Sequence, residues 1–171
     1  MPYIYFGQYE GYSIGSLSIK GYTNSPYSHT SIFLPDLETV IEAWHKGVTK
    51  MHWTQNHSPA TPISIYKIPC AEKQHELFYK FAHAQIGKSY DFGGIFQFVL
   101  GVFDDDKDKW FCSELFFGCA QMAWMNVLDI EPAKSTPRDV QLIPTKQLVD
   151  KRFIPGTRPE PFGTNSILGD T

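Results

Sequence analysis

Over the first seventy positions the hydrophobic residues come in short runs with a period near two. Tyr3 to Phe6, His29 to Leu34, Thr39 to Trp44, Val48 to Trp53 and Ile63 to Ile68 each read as a strand. In the second run Thr30, Ile32 and Leu34 share one face, and Ser31 and Phe33 the other. Pro35-Asp36, between the second and third runs, predicts a tight turn and therefore a hairpin. The period then changes: Leu77, Phe78, Phe81, Ala82, Gln85 and Ile86 recur at helical spacing, and Gly87 is a natural stop. Ile95 to Val102, after Gly93-Gly94, predicts a short buried helix, and Asp104 to Lys109 a solvated charged loop without EF-hand spacing. From Cys112 onward, Leu115, Phe116, Cys119, Ala120 and Ala123 form the apolar stripe of a core helix. A last helix start is read at Ser135-Thr136-Pro137-Arg138-Asp139, with Pro137 at the first helical position. Beyond Pro155 there is no periodicity, which predicts a tail, either disordered or draped over the domain.

Composition narrows the class. With 171 residues the chain has the length of one domain, here read as residues 1–154 followed by the tail at 155–171. Hydrophobic residues make up 42% and charged residues 19%, as in globular rather than disordered chains. Net charge is −3 and no basic stripe is present, so nucleic acid is not an expected partner. No window approaches 18 uninterrupted apolar residues, so no transmembrane segment is expected. Met1 to Gly7 lacks a basic stretch followed by an apolar run, which excludes a secretory leader there and makes the cytoplasm the expected compartment. Three cysteines, an odd count, argue against a disulfide framework.

Among those cysteines, Cys112 stands where the charged loop gives way to an apolar helix. A thiol at a helix N-terminus faces unpaired N–H groups and the positive end of the dipole, which predicts a lowered pKa and donors for an oxyanion. The alternative is a small buried hydrophobe. Cys119 lies on the apolar stripe as core, and Cys70 sits in a Pro-Cys-Ala connection. A nucleophilic cysteine needs a base, and six histidines are available. His29 opens a strand after Asn24-Ser25-Pro26 and can aim into a cleft from a rigid mount; the alternative is a satisfied surface histidine. His45, His52 and His57 lie in a polar region without close metal-ligand spacing, so no metal site and no cofactor are expected. His75 and His83 fall on the exposed or boundary face of the first long helix. Glu42, inside the apolar run Val40-Ile41-Glu42-Ala43-Trp44, needs a partner if buried and could orient His29; otherwise it is an edge-facing glutamate.

Three segments together resemble a known family: Ser25-Pro-Tyr-Ser-His29-Thr-Ser-Ile, Val40-Ile-Glu42-Ala-Trp and Trp110-Phe-Cys112-Ser-Glu-Leu115. Their order is similar to that of the permuted papain-like hydrolases of the NlpC-type superfamily, in particular the amidase branch typified by YiiX and YaeF. In that branch the histidine strand precedes the cysteine helix, as His29 precedes Cys112 here. Ile86-Gly-Lys-Ser-Tyr90-Asp91 also resembles that branch's element before the cysteine, although neither Tyr90 nor Asp91 is assigned a catalytic role. The resemblance spans roughly residues 10 to 145.

The resemblance implies an α+β fold, with an antiparallel sheet or open barrel packed against helices that include the nucleophile helix. It implies a cysteine hydrolase that cleaves a peptide or other acyl-amide bond, with Cys112 as nucleophile, His29 as base and Glu42 as the third, polar residue. His45 is a second candidate for the third position; strand alternation puts Glu42 and Trp44 on one face and His45 on the other. The expected partner is a small peptide, amide or acyl substrate, and the oligomeric state is left open. Two other classes are carried alongside: a lipid-directed acyltransferase or thioesterase with the same triad, and a non-enzymatic binding module on the same fold. A cell-wall substrate would require release by lysis or phage delivery, given the absent leader.

Overall fold

The computed structural model describes residues 1–90 and 109–157. Along the chain lie β1 (Tyr3–Tyr9), α1 (Ile14–Thr23), β2 (His29–Phe33), β3 (Thr39–Trp44), β4 (Gly47–His52), β5 (Pro62–Pro69) and α2 (Glu72–Ala84). Then come β6 (Ser89–Tyr90), β7 (Lys109–Trp110), α3 (Cys112–Met122), a 3-10 turn (Pro132–Lys134), α4 (Pro137–Gln141) and β8 (Gln147–Phe153). The fold is mixed α+β, as expected, built on a six-stranded antiparallel sheet in the order β4-β3-β2-β1-β5-β8. The expected helix at 95–102, most of the charged loop and most of the tail fall outside the described residues.

Alternation along the strands gives the sheet two different faces. Ile4, Phe6, Ile32, Ile41 and Ala43 pack on one side against Phe78 and Ala82 of α2 and Leu115 and Phe116 of α3. The Phe6 and Phe116 rings lie 5.0 Å apart and Phe78 and Phe116 5.8 Å, tilted or edge-on as aromatic quadrupoles prefer. Tyr9, Phe33, Val40, Ile63 and Ile65 point to the other side, where Trp53 and Ile154 cover them. Every residue of β2 is therefore buried, on both faces. The apolar stripe read from Cys112 is the buried face of α3, and Cys119 is fully buried within it.

The turns follow from local chemistry. Asp36 accepts from the Glu38 and Thr39 backbone N–H groups and closes the β2–β3 hairpin. Gly47, the first residue of β4, has φ +96°, and a Cβ there would lie 2.4 Å from the Lys88 carbonyl. Only glycine allows both that conformation and that approach, by which Val48 N–H reaches the Lys88 carbonyl at 2.8 Å. Helix α4 begins at Pro137, as the sequence predicts.

The two-residue strands β6 and β7, the 3-10 turn, helix α1 and strand β8 were not expected. Helix α1 is started by Ser13, whose hydroxyl accepts from Ser16 N–H at 3.2 Å, but its residues are mostly Ser, Gly and exposed side chains, so no apolar period announces it. Strand β8 is a sheet edge, largely exposed, and lacks the alternation that a half-buried strand shows. Helix α2 also begins earlier than its apolar spacing suggests, because its first turn, from Glu72, is polar. No helix among the described residues is long and apolar enough to cross a membrane.

Candidate functional site: a buried histidine–glutamate cluster beside Cys112

The site lies where the sheet splays. Strand β2 pairs with β1 from Phe33 through His29, but with β3 only at Ile32↔Ile41 and Phe33↔Val40. Beyond those pairs β2 and β3 part, and side chains occupy the opening. His29, the first residue of β2, and Glu42 of β3 stand on the sheet face opposite the helices, as alternation from Phe33 and Val40 requires. His29 Nε2 donates to Glu42 Oε2 at 3.0 Å, with side-chain exposures of 2% and 0%. His45 is exposed in the β3–β4 turn, so geometry places Glu42, not His45, against His29.

A second histidine joins them. His57, in the loop after β4, donates from Nε2 to the same Glu42 oxygen at 3.1 Å, with a side-chain exposure of 5%. Its ring stacks on Tyr9 at 4.0 Å and 19°. Trp44 closes the cluster, its ring edge-on to His29 at 4.6 Å. Asn56 Nδ2 approaches Glu42 Oε1 at 3.5 Å. Burial alone would raise the Glu42 pKa, but the hydrogen bonds from His29 and His57 hold it far below the usual carboxylate range. The carboxylate is therefore ionised and accepts only, so both rings present Nε2–H to it.

That fixes the far side of His29. Its Nδ1 is buried and has no hydrogen-bond partner among the described residues. Burial lowers the His29 pKa against the opposing pull of Glu42, so the ring rests neutral with a lone pair on Nδ1. Cys112, the first residue of α3, reaches the same end of β2: the backbone N–H of Thr30, next to His29, is directed at its sulfur. The short parallel pairing of Tyr90 with Trp110 brings the Tyr90 backbone beside the approach to Cys112. Asp91 is outside the described residues.

One expectation is corrected. Position at the helix N-terminus predicted a lowered Cys112 pKa, but the residue is only 3% exposed and burial pushes the thiol up to about 12, against the N–H groups of Thr30 and Ser113. Desolvation of the thiolate outweighs the helix terminus.

His57 has no ligand-type residue at close spacing along the chain that would mark it as part of a metal site. The fold instead brings His29, Glu42 and His57 together from two strands and a loop, with their ligand atoms all within 4.8 Å of one another. Such a set of two imidazoles and one carboxylate suits a divalent metal. Its one sequence signal was the glutamate inside an apolar strand, which demanded partners.

No family model matches the chain, and no curated protein matches it. Among solved structures the fold is similar to the crystal structure of the metalloprotein YiiX from Escherichia coli O157:H7, a DUF1105 protein. The TM-score is 0.66 at 19% sequence identity, covering 87% of this chain and 96% of that one. At that identity the likeness is one of fold.

Proposed function

We propose that the protein is a cysteine hydrolase that cleaves an acyl-amide bond through Cys112, His29 and Glu42. The observation that carries this reading is the fixed tautomer of His29: Glu42 holds Nε2–H, which leaves Nδ1 buried and unpartnered, on the residue next to Thr30, whose backbone N–H is directed at the Cys112 sulfur. A base oriented by a carboxylate beside a thiol at a helix N-terminus is the arrangement that acyl transfer to sulfur requires. The order of histidine strand before cysteine helix, on a fold like that of YiiX, supports the permuted papain-like assignment.

In this mechanism the resting pair is neutral. As Cys112 Sγ attacks the acyl carbon, its proton passes to His29 Nδ1, and Glu42 stabilises the imidazolium. Backbone N–H groups at the start of α3 receive the oxyanion. The C–N bond then breaks, and the amine leaves with the proton from Nδ1. Water attacks the thioester with His29 Nδ1 as base, the acid departs, and the proton returns to sulfur. An acyltransferase would use the same steps with another acceptor. The groove lined by Phe117, Gln121, Trp124, Asn126 and Asp129 does not favour that variant: its lining is mixed polar and apolar, and it lies along the C-terminal half of α3, whereas Cys112 starts that helix.

The test uses p-nitrophenyl acetate. Intact and peptide mass spectrometry should find one acetyl group on Cys112, absent in Cys112→Ala and formed about 10²-fold more slowly in His29→Ala. Acetylation that ignores His29 would sink the reading.

A second reading is favoured by the cluster itself and by the neighbour's description as a metalloprotein: His29, Glu42 and His57 hold a divalent metal. Bound there, such an ion would supply Lewis-acid polarisation or an activated water. Both rings would have to turn a lone pair, not a proton, toward Glu42.

A further inference from the structure

We propose that Gln8 Oε1, Thr30 Oγ1 and Ser135 Oγ hold one buried water between the sheet and the start of α3, and that through it Gln8 and Thr30 are positioning residues for Cys112. The water site lies on the helix side of the sheet and does not rest on the hydrolase reading.

The register sets Gln8 of β1 directly opposite Thr30 of β2 and Ser64 of β5. Opposed residues share a face, and alternation gives Gln8 the face of Ile4 and Phe6, against the helices. Three adjacent strands thus carry a polar row, Ser64, Gln8 and Thr30, across an otherwise apolar face, with exposures of 4%, 0% and 1%. At the β5 end the row is satisfied: Tyr27 Oη donates to Ser64 Oγ at 3.5 Å and lies 3.1 Å from Tyr66 Oη. In the middle, Gln8 Nε2 donates to the Pro137 carbonyl at 2.7 Å. A carbonyl only accepts, so this bond fixes which end of the amide is oxygen. Ser113, the second residue of α3, donates from its hydroxyl to the Ser135 carbonyl at 2.9 Å. The segment 135–137 is therefore clamped between the sheet and the first turn of α3.

Within this layer Gln8 Oε1, Thr30 Oγ1 and Ser135 Oγ have no partner among the described residues, and all three residues are buried. Such atoms are costly to leave unpaired, and their usual partner is a water that makes about three hydrogen bonds. Opposed side chains on paired strands have Cβ atoms about 4.5–5.5 Å apart. One water spans that gap with two bonds of about 2.8 Å. The donor count also closes. Gln8 Oε1 only accepts, whereas each hydroxyl can donate or accept, so the water gives one proton to Gln8 and one to a hydroxyl, and accepts from the other hydroxyl. Thr30 carries the effect to the thiol, because its backbone N–H is directed at the Cys112 sulfur. Fixing the Thr30 side chain on one side of the strand fixes that N–H, and the clamped 135–137 segment holds the helix turn that bears the sulfur.

The experiment uses the full chain. Oxygen-17 relaxation dispersion of the solvent counts long-lived internal waters, and the count should fall by one in Thr30→Val, which keeps the shape and the strand preference. Iodoacetamide labelling read by peptide mass spectrometry should find Cys112 about tenfold faster in Thr30→Val and in Gln8→Met, the equilibrium weight of one net hydrogen bond. Cys119, fully buried about two turns further along α3, should keep its parent rate. Thr30→Ser, which retains the hydroxyl, should keep both the water and the slow labelling. Urea unfolding adds a sign: replacing a hydroxyl that holds a water with a methyl lowers the midpoint, whereas replacing a plain unpaired hydroxyl raises it. An unchanged water count or a higher midpoint in Thr30→Val would overturn the water site. A lower count with parent-like labelling of Cys112, or with Cys112 and Cys119 accelerating together, would overturn the positioning role.

Discussion

The neutral resting pair makes a quantitative prediction about Cys112. At pH 7.5 a thiol at the ordinary value of about 8.5 is roughly 10% thiolate, whereas one at about 12 is about 3 × 10⁻⁵ thiolate, some 3,000-fold less. Since the thiolate is the alkylating species, iodoacetamide should label Cys112 in the folded protein about three orders of magnitude more slowly than in urea. Peptide mass spectrometry separates this site from Cys70 and Cys119, and the rate is followed from pH 6 to 11. The expected profile climbs through the alkaline range with no inflection below pH 9. Linkage gives the same sign in stability: a thiol raised on folding contributes fully below about pH 8.5, and that contribution is lost as pH rises toward 12. An inflection below 8.5, with folded protein labelling faster than the urea control at neutral pH, would refute the reasoning. It would mean that the helix terminus and the N–H groups of Thr30 and Ser113 outweigh desolvation, and that a thiolate–imidazolium pair exists at rest.

Glu42→Gln should destabilise the fold by about 2–4 kcal/mol in urea unfolding, because two N–H donors at 3.0 and 3.1 Å lose a charged acceptor and the new amide faces Asn56; a loss under about 0.5 kcal/mol would contradict the cluster. Acid should act in two stages. His29 is held below its ordinary 6.5 and Glu42 below its ordinary 4.5, so the unfolded chain binds more protons in both windows. The melting temperature should then fall from about pH 6.5 downward and more steeply below about 4.5; a flat profile between 4.5 and 6.5 would count against a buried neutral His29. Gly47→Ala should cost about 1–3 kcal/mol, since φ +96° is strained for alanine and the Lys88 carbonyl lies 2.4 Å from the new methyl; urea midpoints decide it.

Much of this was legible in the chain because period and burial coincide. The runs at 29–34 and 39–44 alternate, and their faces in the sheet are those that alternation assigns. Cys112 starts its helix because a polar segment ends there and an apolar stripe begins. Glu42 was legible for an energetic reason: an acid within Val-Ile-Glu-Ala-Trp must be paired. What stayed hidden depends on contacts between distant positions. His57 enters from a loop with no periodicity, held by a ring on another strand. The thiol's ionisation also stays hidden, because sequence shows a helix terminus but not how deeply the fold buries it. Helix α1 rests on a serine cap and β8 on edge pairing with β5, neither of which leaves an apolar pattern.

The cost of the cluster argues that function, not folding, keeps it. Glu42 is a carboxylate in a strand whose neighbours Val40, Ile41 and Ala43 are fully buried, and two imidazoles are desolvated to serve it. Replacing such buried ionic groups with apolar side chains of similar volume is often neutral or stabilising by about 1–4 kcal/mol. A sheet that already buries Phe6, Phe33, Ile32 and Ile41 has apolar surface enough without spending a strand position on a charge. Within the cluster, His29 Nδ1 is left without a partner, one of six buried side-chain polar atoms among the described residues that are. A base needs that vacancy, because the atom that takes a proton during reaction must be free before it. The unpaired nitrogen of His29 is thus left unexplained by the fold's own hydrogen bonding, and it is the atom that the proposed base would use.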